Sequence, residues 1–170
     1  MRLFFFGSLL DRDLFAIAVG RCMDSFDIQP GCLLGHHRRK VAGETYPILV
    51  PHPDGRVEGI LVDGLTPTEI DRLGYFEGGE YVLTPLPIVD RNGDRAEAHA
   101  YVSTGILEDT GDAWRLEAWQ ATAKERALVE TEIVMALHGV ITTAEMDELW
   151  PDLKREADRR LAERYRQSAG

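Results

Sequence analysis

An α+β protein is what this sequence predicts, with a strand-rich body over residues 1–104 and a helical extension over 105–170. Three observations carry that prediction. Twelve of the sixteen glycines and seven of the eight prolines precede residue 105, where turns between strands need them. Short apolar runs rich in β-branched and aromatic residues recur between those turn signals. Beyond residue 105 only Pro151 interrupts, and apolar residues recur at helical spacing.

The elements follow in order. Leu3–Phe6 reads as a buried strand, Gly7-Ser8 as a tight turn, and Asp11–Val19 as a helix. The apolar opening resembles the start of a secretory signal. Asp11-Arg12-Asp13 ends it far short of the ~18 residues a spanning helix needs, so the strand reading is preferred. Strand-like runs cover 27–34, 46–50 and 57–62, with Pro53-Asp54-Gly55 supplying turn chemistry between the last two. Thr66-Pro67-Thr68-Glu69 is a capping box with proline at the first helical position, predicting a helix that stops near Gly74. Asn92-Gly93 joins strands at 81–89 and 96–102 in the strongest hairpin signal of the chain. In the extension, Trp114, Ala118, Ala121, Leu128 and Met135 form one apolar stripe. Thr142-Thr143-Ala144-Glu145 then caps a second helix running towards Arg166. The stripe reads as packing rather than as a cofactor box.

Composition bounds the function classes. The 170 residues are 44% hydrophobic and 28% charged, with 19 Lys+Arg against 29 Asp+Glu and a formal charge of −10. That charge argues against sequence-independent nucleic-acid binding and against adhesion to an anionic membrane. Basic and acidic residues are shared so that body and extension are equally acidic. Cys22 and Cys32 are too few for a disulfide framework, and a reducing, cytoplasmic setting is the simplest expectation.

Two segments suggest chemistry. Phe4-Phe5-Phe6-Gly7-Ser8-Leu9 is a strand–turn–helix start whose free amides suit an anion, although an ordinary turn with a serine cap has the same pattern. Gly74-Tyr75-Phe76-Glu77-Gly78-Gly79-Glu80-Tyr81 places a carboxylate near a helix C-terminus among aromatic residues. Both the helix dipole and apolar neighbours raise the proton affinity of such a group towards that of a general base. Spacing alone does not choose between Glu77 and Glu80.

Phe6-Gly7-Ser8-Leu9 resembles the Tyr-Gly-Ser/Thr-Leu loop of the γ-glutamylcyclotransferase-like superfamily. Tyr46-Pro47-Ile48-Leu49-Val50, Val57-Glu58-Gly59-Ile60-Leu61 and Phe76-Glu77-Gly78-Gly79-Glu80-Tyr81 resemble successive blocks of its AIG2-like branch, in the same order. The resemblance implies a small mixed β-barrel flanked by helices, with a pocket at one end. It implies Glu77, not Glu80, as general acid/base, and Phe6, Gly7, Ser8, Leu9 and Tyr81 as substrate-binding residues. The implied reaction releases 5-oxoproline from a small γ-glutamyl compound and needs neither metal nor cofactor. Two departures stand out: Phe6 where the family has tyrosine, and Leu83 where the branch commonly has arginine.

Other residues have plainer readings. His36-His37-Arg38-Arg39-Lys40, the one basic cluster, reads as a solvated strand end, and adjacent strand residues make poor joint metal ligands. Cys22 and Cys32 read as buried thiols. Two alternatives to the enzyme stay open: a non-catalytic module binding a small ligand or partner, and a thiol-dependent amidase or transferase. Oligomeric state is not legible.

Overall fold

Leu3, Phe4 and Phe5 are all buried, as a strand covered on both faces requires. In the computed structural model, which describes residues 1–168, they form β1 (Leu3–Phe5) at the heart of a mixed sheet. The remaining strands are β2 (Asp27–Val41), β3 (Pro47–Asp63), β4 (Tyr81–Asp90), β5 (Arg95–Ser103) and β6 (Asp109–Ala113). The helices are α1 (Arg12–Val19), α2 (Pro67–Glu77), α3 (Leu116–Thr122), α4 (Lys124–Met135) and α5 (Thr143–Ser168).

Strand order is β3-β1-β5-β4-β2-β6, and β2 also pairs with β3, so five strands close into a barrel with β6 on its edge. Only β1 and β5 run parallel; every other pair is antiparallel. Alternation along β1 divides the core. Phe4 and Phe6 face a barrel interior of Leu33, Leu49, Val57, Leu61 and Ile88. Leu3 and Phe5 face Phe15, Ala18, Val19 and Leu73 from α1 and α2. The expected α+β barrel with flanking helices and a C-terminal helix is the observed architecture.

Local expectations needed three corrections. Pro53-Asp54-Gly55 does not reverse the chain. β3 is continuous over 47–63, and residues 52–55 bulge opposite Gly35, between the pairs Leu34↔Arg56 and His36↔Pro51. Gly55 is needed there, since a Cβ would sit 2.3 Å from the His36 carbonyl oxygen. α2 does not stop at Gly74 but continues to Glu77. An interior glycine costs about 1 kcal/mol, and burying Leu73 and Tyr75 outweighs it. Gly78, at φ 72°, ends the helix instead, in an extended conformation of positive φ that glycine alone adopts readily.

The third correction concerns the extension. Exposed residues 109–113 pair with β2 as β6, with no alternation to reveal them. Ala123 separates α3 from α4, and the expected stripe does not hold: Ala118 and Ala121 are exposed, α3 buries Trp119 instead, and Trp114 precedes both helices. The extension docks through Asp11, which is 1% exposed. Its carboxylate caps α1 at the Asp13 and Leu14 amides and also accepts from Gln120 Nε2 at 2.7 Å and Lys124 Nζ at 2.8 Å. No helix among the described residues is long and apolar enough to cross a membrane.

Candidate active site

The bulged β2–β3 hairpin bends its far half, residues 36–51, across one end of the barrel. Its tip carries Glu44, Thr45, Tyr46 and Pro47. The same end receives the loop after β1, the end of α2 and the start of β4. Together they enclose a cavity of about 150 Å³ that α3, α4 and α5 wall off on the other side. Phe6, Gly7, Ser8, Leu9, Glu77 and Tyr81 all line it. Six residues picked out by resemblance, from two separated segments, therefore meet at one place.

Glu77 is the last residue of α2, between Phe76 and the glycine pair Gly78-Gly79. The capping box at Thr66 starts the helix, with Thr66 Oγ1 accepting from Glu69 N–H and Glu69 accepting from Thr66 N–H. Eleven residues later the chain has turned Glu77 inward. Its carboxyl makes no hydrogen bond among the described residues, and its partial exposure is to the cavity that it lines. Burial pushes its pKa up to about 8. Glu80 differs: it also lines the cavity, but Tyr46 Oη donates to it at 3.2 Å.

The loop opposite is a single 3-10 turn, Ser8–Leu10. Leu10 and Asp11 amides bond the Gly7 and Ser8 carbonyls at 3.0 and 2.9 Å. The amides of Ser8 and Leu9 precede the first turn bond and take no backbone partner among the described residues. Pro47 packs against Gly7, where a Cβ would lie 3.1 Å from the proline ring. Tyr81 Oη donates to the Pro47 carbonyl at 3.1 Å, and its ring meets Tyr46 edge-on at 6.2 Å. Burial first, then the nearby Glu77, push the Tyr81 phenol above its usual range, so it stays protonated.

Both departures from the family pattern have a structural setting. The Phe6 ring is buried with Phe4 at 6.3 Å inside the apolar barrel cluster, where a hydroxyl would need a partner. Leu83 does not line the cavity; it packs against the cluster of Leu3, Phe5, Leu73 and Tyr101. Cys22 is exposed, contrary to its expected burial, and Cys32 is buried. Neither thiol lines the cavity, and burial pushes the Cys32 thiol up, away from a reactive thiolate. No cluster of three or more metal-ligating side chains occurs among the described residues.

Sequence reasoning missed the far wall. Trp119, Arg126, Glu130, Thr131, Met146 and Trp150 reach the cavity from the extension. There Arg126 pairs with Glu130 at 2.7 Å, and Lys154 with Glu44 at 2.6 Å. The helical stripe gave no signal of it, since none of its five residues lines the cavity.

A small closed barrel with a ligand-sized cavity at one end is the class that fold and site define. The chain belongs to the family described as gamma-glutamyl cyclotransferase, AIG2-like, which it matches over residues 3–121. It is similar to Protein AIG2 C of Arabidopsis thaliana, 28% identical over 131 residues that cover 75% of this chain and 76% of that one. AIG2-like protein B of the same plant is 26% identical over 121 residues, covering 69% and 68%. A solution structure of an Arabidopsis thaliana protein superposes with a TM-score of 0.57 at 26% identity, covering 84% of this chain and 86% of that one. A structure titled gamma-glutamyl cyclotransferase shares the fold with a TM-score of 0.51 at 16% identity, covering 64% and 69%.

Proposed function

We propose that the protein is a γ-glutamyl cyclotransferase acting on a small γ-glutamyl amine or amino acid. The observation that carries this reading is the buried carboxyl of Glu77 facing the same cavity as the free amides of the Ser8–Leu9 loop. The α-amino nitrogen of the substrate attacks its own γ-carbonyl carbon, a C–N bond closes the five-membered ring, and the original γ-amide C–N bond breaks. Glu77, ionised, takes a proton from the attacking nitrogen and returns it to the departing amine, so 5-oxoproline and a free amine form without water. Attack is intramolecular, and holding the substrate folded in a cavity of this size supplies much of the rate. The Ser8 and Leu9 amides bind the α-carboxylate or the developing oxyanion. Tyr81 and Pro47 shape the wall beside that loop.

The two unpaired thiols suit a reducing cytoplasm, where we place the reaction. The test is Glu77→Gln. This variant should fold as the parent does and release at least a hundredfold less 5-oxoproline from γ-glutamyl amines and dipeptides. Parent-like turnover by it would refute the mechanism. A parent chain that binds 5-oxoproline yet cyclises nothing would instead make the protein a ligand-binding module.

A further inference from the structure

His36–Lys40 was expected to be a solvated strand end, but Arg38 does not fit that description. Its Nη1 donates to the Phe6 carbonyl at 2.6 Å and, more weakly, to the Glu58 carbonyl at 3.4 Å. Its guanidinium lies over the Trp114 ring at 5.0 Å, and its Nε is enclosed without a partner. No carboxylate forms an ion pair with it among the described residues; Glu117 and Glu58 lie near enough to favour its charge, but burial outweighs them. A half-buried cation with no direct ion pair costs stability, and a neutral side chain would fill the same space more cheaply. What the guanidinium gains is one short charge-assisted bond to the carbonyl that precedes Gly7.

Trp114 extends the contact. It is 4% exposed, its backbone N–H donates to the Arg38 carbonyl at 3.1 Å, and its Nε1 donates to the Thr45 carbonyl at 2.8 Å. Phe6 begins the loop that lines one side of the cavity, and Thr45 lies at the hairpin tip that lines another. Neither Arg38 nor Trp114 lines the cavity itself.

We infer that Arg38 is a positioning residue for this site. From outside the cavity it holds the Phe6 carbonyl, and so keeps the Ser8 and Leu9 amides aimed inward. Through Trp114 it sets the distance between that loop and the Thr45–Tyr46 wall. The kinetic part rests on the cyclotransferase reading; the ordering of the loop does not.

Arg38→Met in the full chain tests it, because methionine fills the space and removes the donors. The variant should unfold at a temperature close to that of the parent. In the ligand-free protein, hydrogen exchange at the Ser8, Leu9 and Leu10 amides should accelerate at least tenfold, with α2 and β5 amides unchanged. Release of 5-oxoproline should fall at least tenfold in kcat/KM, mainly in kcat, and Arg38→Lys should recover part of both effects. A folded Arg38→Met with parent-like exchange at Ser8 and Leu9 overturns the inference. So does unfolding of both variants, which would make Arg38 a residue of the fold rather than of the loop. If the parent releases no 5-oxoproline, the cyclotransferase reading fails while the exchange result still decides the role of Arg38.

Discussion

Glu77 has to be worked out from its surroundings, because a carboxyl whose pKa rises to about 8 ties activity and stability to pH in opposite directions. On the cyclotransferase reading it acts as a base, ionised, so kcat/KM should climb through about pH 8 as one group loses a proton. Stability runs the other way. The folded state holds the Glu77 proton more tightly than the unfolded chain does, so it binds more protons between the ordinary carboxyl range and pH 8. Stability therefore falls as pH rises through that window, by a few kcal/mol. Glu77→Gln should match the parent in thermal unfolding near pH 5 and exceed it at pH 9. A parallel pH dependence of Tm in the two proteins would show that burial does not hold the proton. The sequence marked the segment 74–81 as chemical, since aromatics and glycines surround two carboxylates. It did not separate Glu77 from Glu80, because the difference is that one has a tyrosine donor and the other has none, and that donor lies on a distant hairpin. Resemblance made the choice. The exposed Cys22 and the inward Arg38 were misread for a related reason: exposure depends on what packs from elsewhere.

At the level of elements, capping residues were legible and continuity was not. Both Thr-x-x-Glu boxes form as expected, and the Asn92-Gly93 hairpin forms with them. Each uses groups within a few residues, so the local sequence suffices. The stop at Gly74 failed because burial of Leu73 and Tyr75 overrode local propensity, and the turn at Pro53–Gly55 because pairing with β2 carries the strand through as a bulge. No local signal marks the break at Ala123. β6 was invisible, since its five residues are all exposed and join only by pairing with β2. Asp11 gives the most direct test at this scale, because one side chain both caps α1 and receives Lys124 and Gln120. Burial raises its pKa, but the bonds from Lys124, Gln120 and the Leu14 amide outweigh that and hold it below the usual carboxylate range. Asp11→Ala should cost about 3 kcal/mol, roughly 10 °C in Tm. Asp11→Asn, which keeps the cap, should cost about half as much. Equal losses in the two would assign the whole effect to docking of the extension and none to the cap.

For the whole molecule, the cavity is a composite. Its carboxyl, its loop and Tyr81 come from the stretch that matches the family, residues 3–121. Its opposite wall, from Arg126 to Trp150, comes from beyond that stretch. On the cyclotransferase reading, the reacting glutamyl group faces the first side and the departing amine faces the second. Trp150→Ala should then shift the ratio of kcat/KM values towards substrates with larger departing amines by about tenfold. 5-oxoproline formation should persist, as assayed with a short and a bulky γ-glutamyl amine. An unchanged ratio would place the departing amine elsewhere. By itself the sequence determined the fold class, the caps, the acidic character and the segments that hold the site, because each rests on neighbouring residues or on patterns repeated along the chain. Only the tertiary structure decided that six residues from two segments share one cavity, that the extension closes it, and that a cation on β2 holds its loop. Those facts are distances between parts of the chain remote in sequence, and they are set by which buried faces can be packed together at once.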